Sequence, residues 1–272
     1  SKAISGDGGV TIIKNVKFVT VHSSKFLNCS SKVASTFHIN YGKRVIFYNN
    51  SFHNNKAIDK AGCLLLSNID MVNINMSDFK KNQVANDGVI YITSCSKIVL
   101  IYSSIVKNIA ESSGVIYSDD FNYMIFIRNQ FAFNKHFGTI QINDGKVFID
   151  YFNRYSNNEG PEGAVLGAFM LQFCLVFSAK MTQNRGIYSG GAVWLQHVNN
   201  VILSRSVFLF NSAKGTGGVA SIVNTKYKLI IANSIFMNNS ATGRGGSFML
   251  EDVTLFIATR LVFENELCKD TG

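Results

Sequence analysis

An aromatic or large apolar residue with asparagine three positions later recurs along the whole chain. The anchors are Phe26, Phe52, Phe79, Ile105, Phe131, Tyr155, Met181, Phe208, Phe236 and Phe263, at intervals of 26, 27, 26, 26, 24, 26, 27, 28 and 27 residues. Eight of the ten carry the asparagine, at Asn55, Asn82, Asn108, Asn134, Asn158, Asn184, Asn211 and Asn239, while the first and last have Cys29 and Glu266 there. A unit this short cannot close a core of its own. It must bury its apolar side against the units before and after it, which is the condition that produces a stacked solenoid.

The residues between anchors say what kind of unit is stacked. Seven positions before the anchor stand Val19, Val45, Val72, Ile98, Met124, Cys174, Val201, Leu229 and Phe256, and two positions later Val21, Phe47, Ile74, Leu100, Phe126, Val176, Leu203 and Ile231. Alternation of these with polar residues at period two predicts strands. Two positions before the anchor a small or amide residue recurs, at Ser24, Asn50, Ser77, Ser103, Asn129, Ala179, Ser206 and Ser234, which suits a tight inward bend. A glycine follows most anchors, at Gly62, Gly88, Gly114, Gly138, Gly163, Gly191, Gly218 and Gly246, and is expected to take the positive φ of a corner before the next apolar run. With one proline, 22 phenylalanines and turns rich in Asn, Gly and Ser, each unit reads as about three short strands. A propeller blade needs roughly 40 residues. The expected fold is therefore all-β: a right-handed single-stranded parallel β-helix of about ten coils of 24–28 residues, one domain over residues 1–272. With coils about 4.8 Å apart the rod is about 50 Å long, and equivalent residues stack into Phe and Asn ladders.

Repeats of Phe-x-x-Asn alternating with "GGAV" at Gly190–Val193, "GGVA" at Gly217–Ala220, "GGSF" at Gly245–Phe248 and "GGVT" at Gly8–Thr11 resemble those of the polymorphic outer-membrane protein family. These are autotransporter adhesins whose passenger domains look like β-helices of the pectin-lyase type. The resemblance covers all ten units, but the glycine element falls to a single residue in the middle units and is missing near Ala34, and the family's membrane-embedded barrel has no counterpart. The resemblance implies adhesion or surface structure and brings no catalytic residues.

Candidate chemistry is sparse. The sequons at Asn28, Asn49, Asn75 and Asn238 are expected to face solvent and to accept N-glycans on a eukaryotic secretory route. Asp120 and Asp144 are expected to stack in a turn, with Asp119 beside them and His197 and Asp252 in later coils. Paired carboxylates of this kind are what a β-helical polysaccharide lyase or hydrolase would use, with or without Ca²⁺. The same position holds Asn68, Ser94 and Asn224 in other units, as an ordinary solvated turn would. Trp194 reads as packing or as one platform for a sugar, since no other aromatic repeats at its position. Cys29, Cys63, Cys95, Cys174 and Cys268 form no CxxC pair and no shared column, and the five histidines align with nothing. No metal and no cofactor is expected. The net charge of +9 comes from lysines and arginines that read as scattered, so no nucleic-acid partner is expected, and no apolar run reaches the roughly 20 residues of a membrane span.

Gly8–Gly9 and Gly272 both fall at repeat phase, and uncapped coils expose strand edges. The sequence thus predicts a segment of a longer, non-enzymatic rod, extracellular or at a cell surface, structural or adhesive. Its expected partners are further coils or other copies stacked head to tail into filaments, and surface glycans or host proteins. The alternative is a polysaccharide-active enzyme or a carbohydrate-binding module.

Overall fold

The computed structural model describes Gly9 and residues 11–269, so Gly8, Val10 and Gly272 lie outside the described residues. Among the described residues there is no helix, and every strand pairing is parallel. The chain winds into a β-solenoid of about ten coils. All ten anchors lie on three-residue strands, from Lys25–Leu27 to Val262–Glu264, that form one ten-stranded sheet. The run ahead of each anchor builds a second sheet. In the first five coils that run is a single 12-residue strand, beginning with Thr11–His22, and from Ile140 onward it divides into two shorter ones. Two five-stranded sheets of short strands close the third side.

Each coil turns three corners, and the backbone there is left-handed. One corner lies three residues before the anchor (Tyr102, φ +50°), one two residues after it (Lys107, φ +57°), and one within or between the long-sheet strands (Ser94, φ +50°). Residues other than glycine fill the first two in every coil. The expected positive φ of the repeat glycine is met in the later coils and not in the earlier ones: Gly138 (+93°), Gly163 (+62°) and the first glycine of each pair, Gly190 (+61°), Gly217 (+65°) and Gly245 (+68°), have it, whereas Gly62, Gly88, Gly114 and the second glycines Gly191, Gly218 and Gly246 do not. The second glycines are required instead by close approach. A Cβ on Gly191 would lie 2.0 Å from the Gly218 carbonyl oxygen, and one on Gly218 would lie 2.0 Å from that of Gly246.

The interior is one continuous apolar column. Phe26, Phe52 and Phe79 stack with ring centroids 5.0 and 4.6 Å apart, and Phe208, Phe236 and Phe263 repeat this at 4.9 and 5.0 Å. Burying each such ring is worth about 1.5–3 kcal/mol before entropy is charged against it. Beside this stack runs the asparagine ladder. Asn134 is representative: its Oδ1 accepts from the backbone N–H (3.0 Å) and Nδ2 (3.2 Å) of Asn108, while its own Nδ2 donates to the Ile105 carbonyl at 2.9 Å and to Asn158 Oδ1 at 3.1 Å. The two substituted positions keep the pattern, since the Cys29 N–H donates to Asn55 and Glu266 accepts from Asn239. The small column before the anchor is a second ladder, in which backbone N–H groups donate to the side chain one coil on, as from Ser103 to Asn129 Oδ1 at 2.8 Å, with a break after Asn153 where Ala179 offers no acceptor. Asn153 belongs to this ladder, accepting from the Asn129 N–H.

The outward residues depart from the expected polar alternation. Val99, Ile125, Ile149, Leu175, Ile202 and Ile230 are in register on the outside of the long sheet. Next to them runs the column Ile101, Ile127, Tyr151 and Phe177. β-branched and aromatic side chains shield one another laterally on a parallel sheet, which leaves most of them half-buried rather than exposed.

Candidate functional site

The expected carboxylate pair does come together. Register pairs Ser118 with Ile142 and Phe121 with Gly145, which sets Asp119 beside Asn143 and Asp120 beside Asp144. Asp120 occupies the left-handed corner (φ +55°) and is exposed, as is Asp144. Half-burial pushes the Asp119 carboxyl up, and Asp144 and Asp120 push it the same way; no lysine or arginine contributes a counteracting charge. His197 and Asp252 lie in the same corner column, separated from Asp144 by Met170 and, between the two, by Asn224. No three His, Cys, Asp or Glu side chains among the described residues are placed to hold a metal ion together. The cluster therefore offers acids without a base beside them, on an open turn.

On the same strand faces lies an aromatic and amide surface. Strand register aligns Tyr91, Tyr117, Gln141, Gly167 and Trp194, so Trp194 does share its position with other aromatics, contrary to the sequence expectation. Tyr91 and Tyr117 stack at 5.1 Å, and Asn143 donates to the Tyr117 hydroxyl at 2.6 Å. Burial, and then the nearby Asp119, push that hydroxyl up to about 12. Trp194 lies beside Gly167, its ring 4.0 Å from where a Cβ on that glycine would stand. It forms one wall of a small cleft with Phe169, Gln141, Asn143, Pro161 and Glu162.

The sequons are divided. Asn28 (φ +53°), Asn49 (φ +54°) and Asn238 (φ +55°) sit at left-handed corners, a conformation that asparagine tolerates better than most residues. Asn28 and Asn49 are exposed; Asn238 is half-buried. Asn75 is not fully turned to solvent as expected. It lies on the strand Leu64–Asn75 between Tyr48 and Ile101 of the adjoining coils, and its Oδ1 is buried without a hydrogen-bond partner.

One ionisable residue escaped the sequence reading altogether. Asp150 stands in the inward column of Phe126 and Val176, fully buried. Tyr155, the only tyrosine among the anchors, donates its hydroxyl to Asp150 Oδ1 at 2.7 Å, and Asn153 Nδ2 donates to the same oxygen. Burial pushes the carboxyl up to about 7 despite both hydrogen bonds. The signal was present as a break in the apolar column at the anchor that carries a hydroxyl. The triad is sealed in the core and contacts no solvent-accessible site. Cys29, Cys63, Cys95 and Cys174 are buried free thiols; burial pushes the Cys63, Cys95 and Cys174 thiols up, Cys95 to about 12.

Comparison with protein-family models, with curated proteins and with solved structures returned no match.

Proposed function

We propose that this protein is a non-enzymatic β-solenoid rod with a structural or adhesive role, outside the cell or at its surface, that works through its side faces. The observation that carries the reading is the outward apolar strip of Ile125, Ile149, Leu175, Ile202 and Ile230, flanked by Ile127, Tyr151 and Phe177. Contiguous apolar surface of this kind marks an interaction face, and columns of equal pitch on a second copy would interdigitate with it as two packed sheets do. The resemblance of the Phe-x-x-Asn and Gly-Gly repeats to polymorphic outer-membrane adhesins of the pectin-lyase type points the same way. Further coils, or another copy, stacked on the last described coil would cover Val262, Phe263 and Leu267, which are half-exposed there. On a eukaryotic secretory route, Asn28 and Asn49 are the sequons best placed to carry N-glycans.

The test pairs association with turnover. Beads coated with the protein should clump, and sedimentation velocity should show concentration-dependent association, both lost in Ile149→Lys/Leu175→Lys with an unchanged circular dichroism spectrum. Release of reducing ends or unsaturated products from a polyuronide, abolished by Asp120→Ala or Asp144→Ala, would instead establish the enzyme. The cleft of Trp194 with Phe169, Gln141 and Glu162 favours a second reading, a carbohydrate-binding module, and Trp194→Ala should then abolish neutral-oligosaccharide binding.

A further inference from the structure

Coiling gathers cations that the sequence scatters. Arg128 and Arg205 stand three residues before their anchors, Arg154 and Lys180 one residue before theirs. These two repeat positions lie on either side of one buried column, at the corner between the long sheet and the anchor sheet. Four successive coils therefore each place one exposed cation on the same edge of the rod. Arg128, Arg154 and Lys180 line an open groove of about 550 Å³ with Phe152, Gln130 and Ser178, and Arg205 extends the row by one coil. At a coil spacing of about 4.8 Å the row spans roughly 14 Å.

Nothing neutralises this row. Residues 127–132, 151–156, 177–182 and 204–209, the strand ends and corners that form the edge, contain no Asp or Glu. The acid nearest to these cations in sequence, Asp150, is sealed in the core. The one side-chain ion pair among the described residues, His53 with Asp78, lies elsewhere. Aromatic rings hold two of the guanidinium groups in place. Arg128 lies over Tyr102 at 5.8 Å and over Phe152 at 5.7 Å and donates to the Tyr102 hydroxyl at 3.0 Å, while Arg205 lies over Phe177 at 5.3 Å. A guanidinium fixed in this way loses less freedom when it takes a carboxylate or sulfate.

We infer that this edge is a binding site for an acidic polysaccharide bearing a carboxylate or sulfate on successive sugars. The inference deepens the adhesive-rod reading, and rests on it, by naming the class of ligand the rod would hold. Two observations favour a glycan over a nucleic-acid strand. Arg154 and Lys180 are directly in register one coil apart, a spacing close to the length of a single pyranose ring, so two successive acidic sugars can each meet one of them, with Arg128 and Arg205 flanking the pair. Tyr102, Phe152 and Phe177 each have an arginine over the ring, so single-stranded bases would have to compete with the guanidinium groups to stack there.

Isothermal titration of the protein with an oligogalacturonate hexamer and a heparin-derived hexasaccharide tests this, with a neutral hexasaccharide and a single-stranded DNA hexamer alongside. At least one acidic oligosaccharide should bind. Its affinity should fall tenfold or more in Arg154→Glu/Lys180→Glu, fall less in Arg154→Gln/Lys180→Gln, and weaken with salt. Lys14→Glu/Lys32→Glu, which makes the same change of net charge at exposed positions elsewhere, should bind as the unaltered protein does. Absence of acidic-glycan binding, equal loss in the two charge-reversed proteins, or tighter binding of the DNA through Arg154 and Lys180 would each overturn the site. Retained clumping of coated beads by a protein that fails here would sink the site and leave the adhesive rod. Cleavage of an oligosaccharide whose affinity still depends on Arg154 and Lys180 would do the reverse.

Discussion

A carboxylate in the core of a solenoid is a local cost that neighbouring residues have to offset, and Asp150 shows how. Valine or phenylalanine occupies its column in the adjoining coils, so the site is shaped for an apolar side chain. The tyrosine hydroxyl and the Asn153 amide supply two donors, enough to satisfy the acid but not to keep it ionised as readily as in water. Its folded value of about 7 lies above the ordinary carboxylate value of about 3.9. Between these two values the folded protein holds a proton that the unfolded chain has lost, so this residue's contribution to stability falls as pH rises. The contribution is fully present below about pH 4, declines through pH 4–7 and levels off above, by about 4 kcal/mol in all. Asp150→Asn keeps an acceptor for both donors and removes the titration. Denaturation curves of the two proteins should therefore diverge with pH, Asp150→Asn being the more stable at pH 8 by up to that amount, with the gap closing toward pH 4. A gap independent of pH would mean that Asp150 is ionised in the fold throughout.

Within one coil, the parts that were legible in the sequence are those that every coil must supply alike. Phe52 and Phe79 have to stack on each other, and Asn108 has to accept from Asn82 and donate to Asn134, so both appear as strict columns in the primary structure. Outward residues carry no such obligation. Ile149 and Leu175 become neighbours only once register is known, and Arg128 and Arg154 occupy different repeat positions, so no period reveals them. The repeat glycines were legible as residues, and their corner conformation holds from Gly138 onward, but the close packing of the second glycine of each pair was not legible. Their column follows from coil-to-coil contact: at Gly218 a methyl group would meet the Gly246 carbonyl oxygen at 2.0 Å and the Ser240 carbonyl at 2.6 Å, both backbone. At Gly62 the nearest atoms stand at 3.2 Å, a distance that a small relaxation relieves. Gly218→Ala should accordingly destabilise the protein by about 3 kcal/mol or more and Gly62→Ala by about 1 kcal/mol or less. Equal losses in thermal melts would show that close approach does not distinguish the two positions.

At the scale of the whole rod, stability should behave as a sum over coils and the interfaces between them. Strand Leu64–Asn75 pairs with Ile90–Ile101 and that strand with Ile116–Ile127, each 12 residues long and each in register from end to end. Removing residues 76–101, one full register repeat of 26, joins Asn75 to Tyr102 and brings the outer two strands into contact. The inward columns survive the junction, with Val72 meeting Met124 and Ile74 meeting Phe126, and the Asn ladder passes from Asn55 to Asn108. The shortened protein should fold with an unchanged β spectrum and a maximum dimension in small-angle scattering smaller by about 5 Å. Removing residues 76–88 instead cuts half a coil. It leaves the corners and both ladders without partners in the adjoining coil, strands the buried amide of Asn55, and should abolish cooperative unfolding. The coil is the unit of this fold if the longer deletion is the tolerated one; if both deletions fold, or neither does, the chain is held together by contacts that reach beyond nearest neighbours.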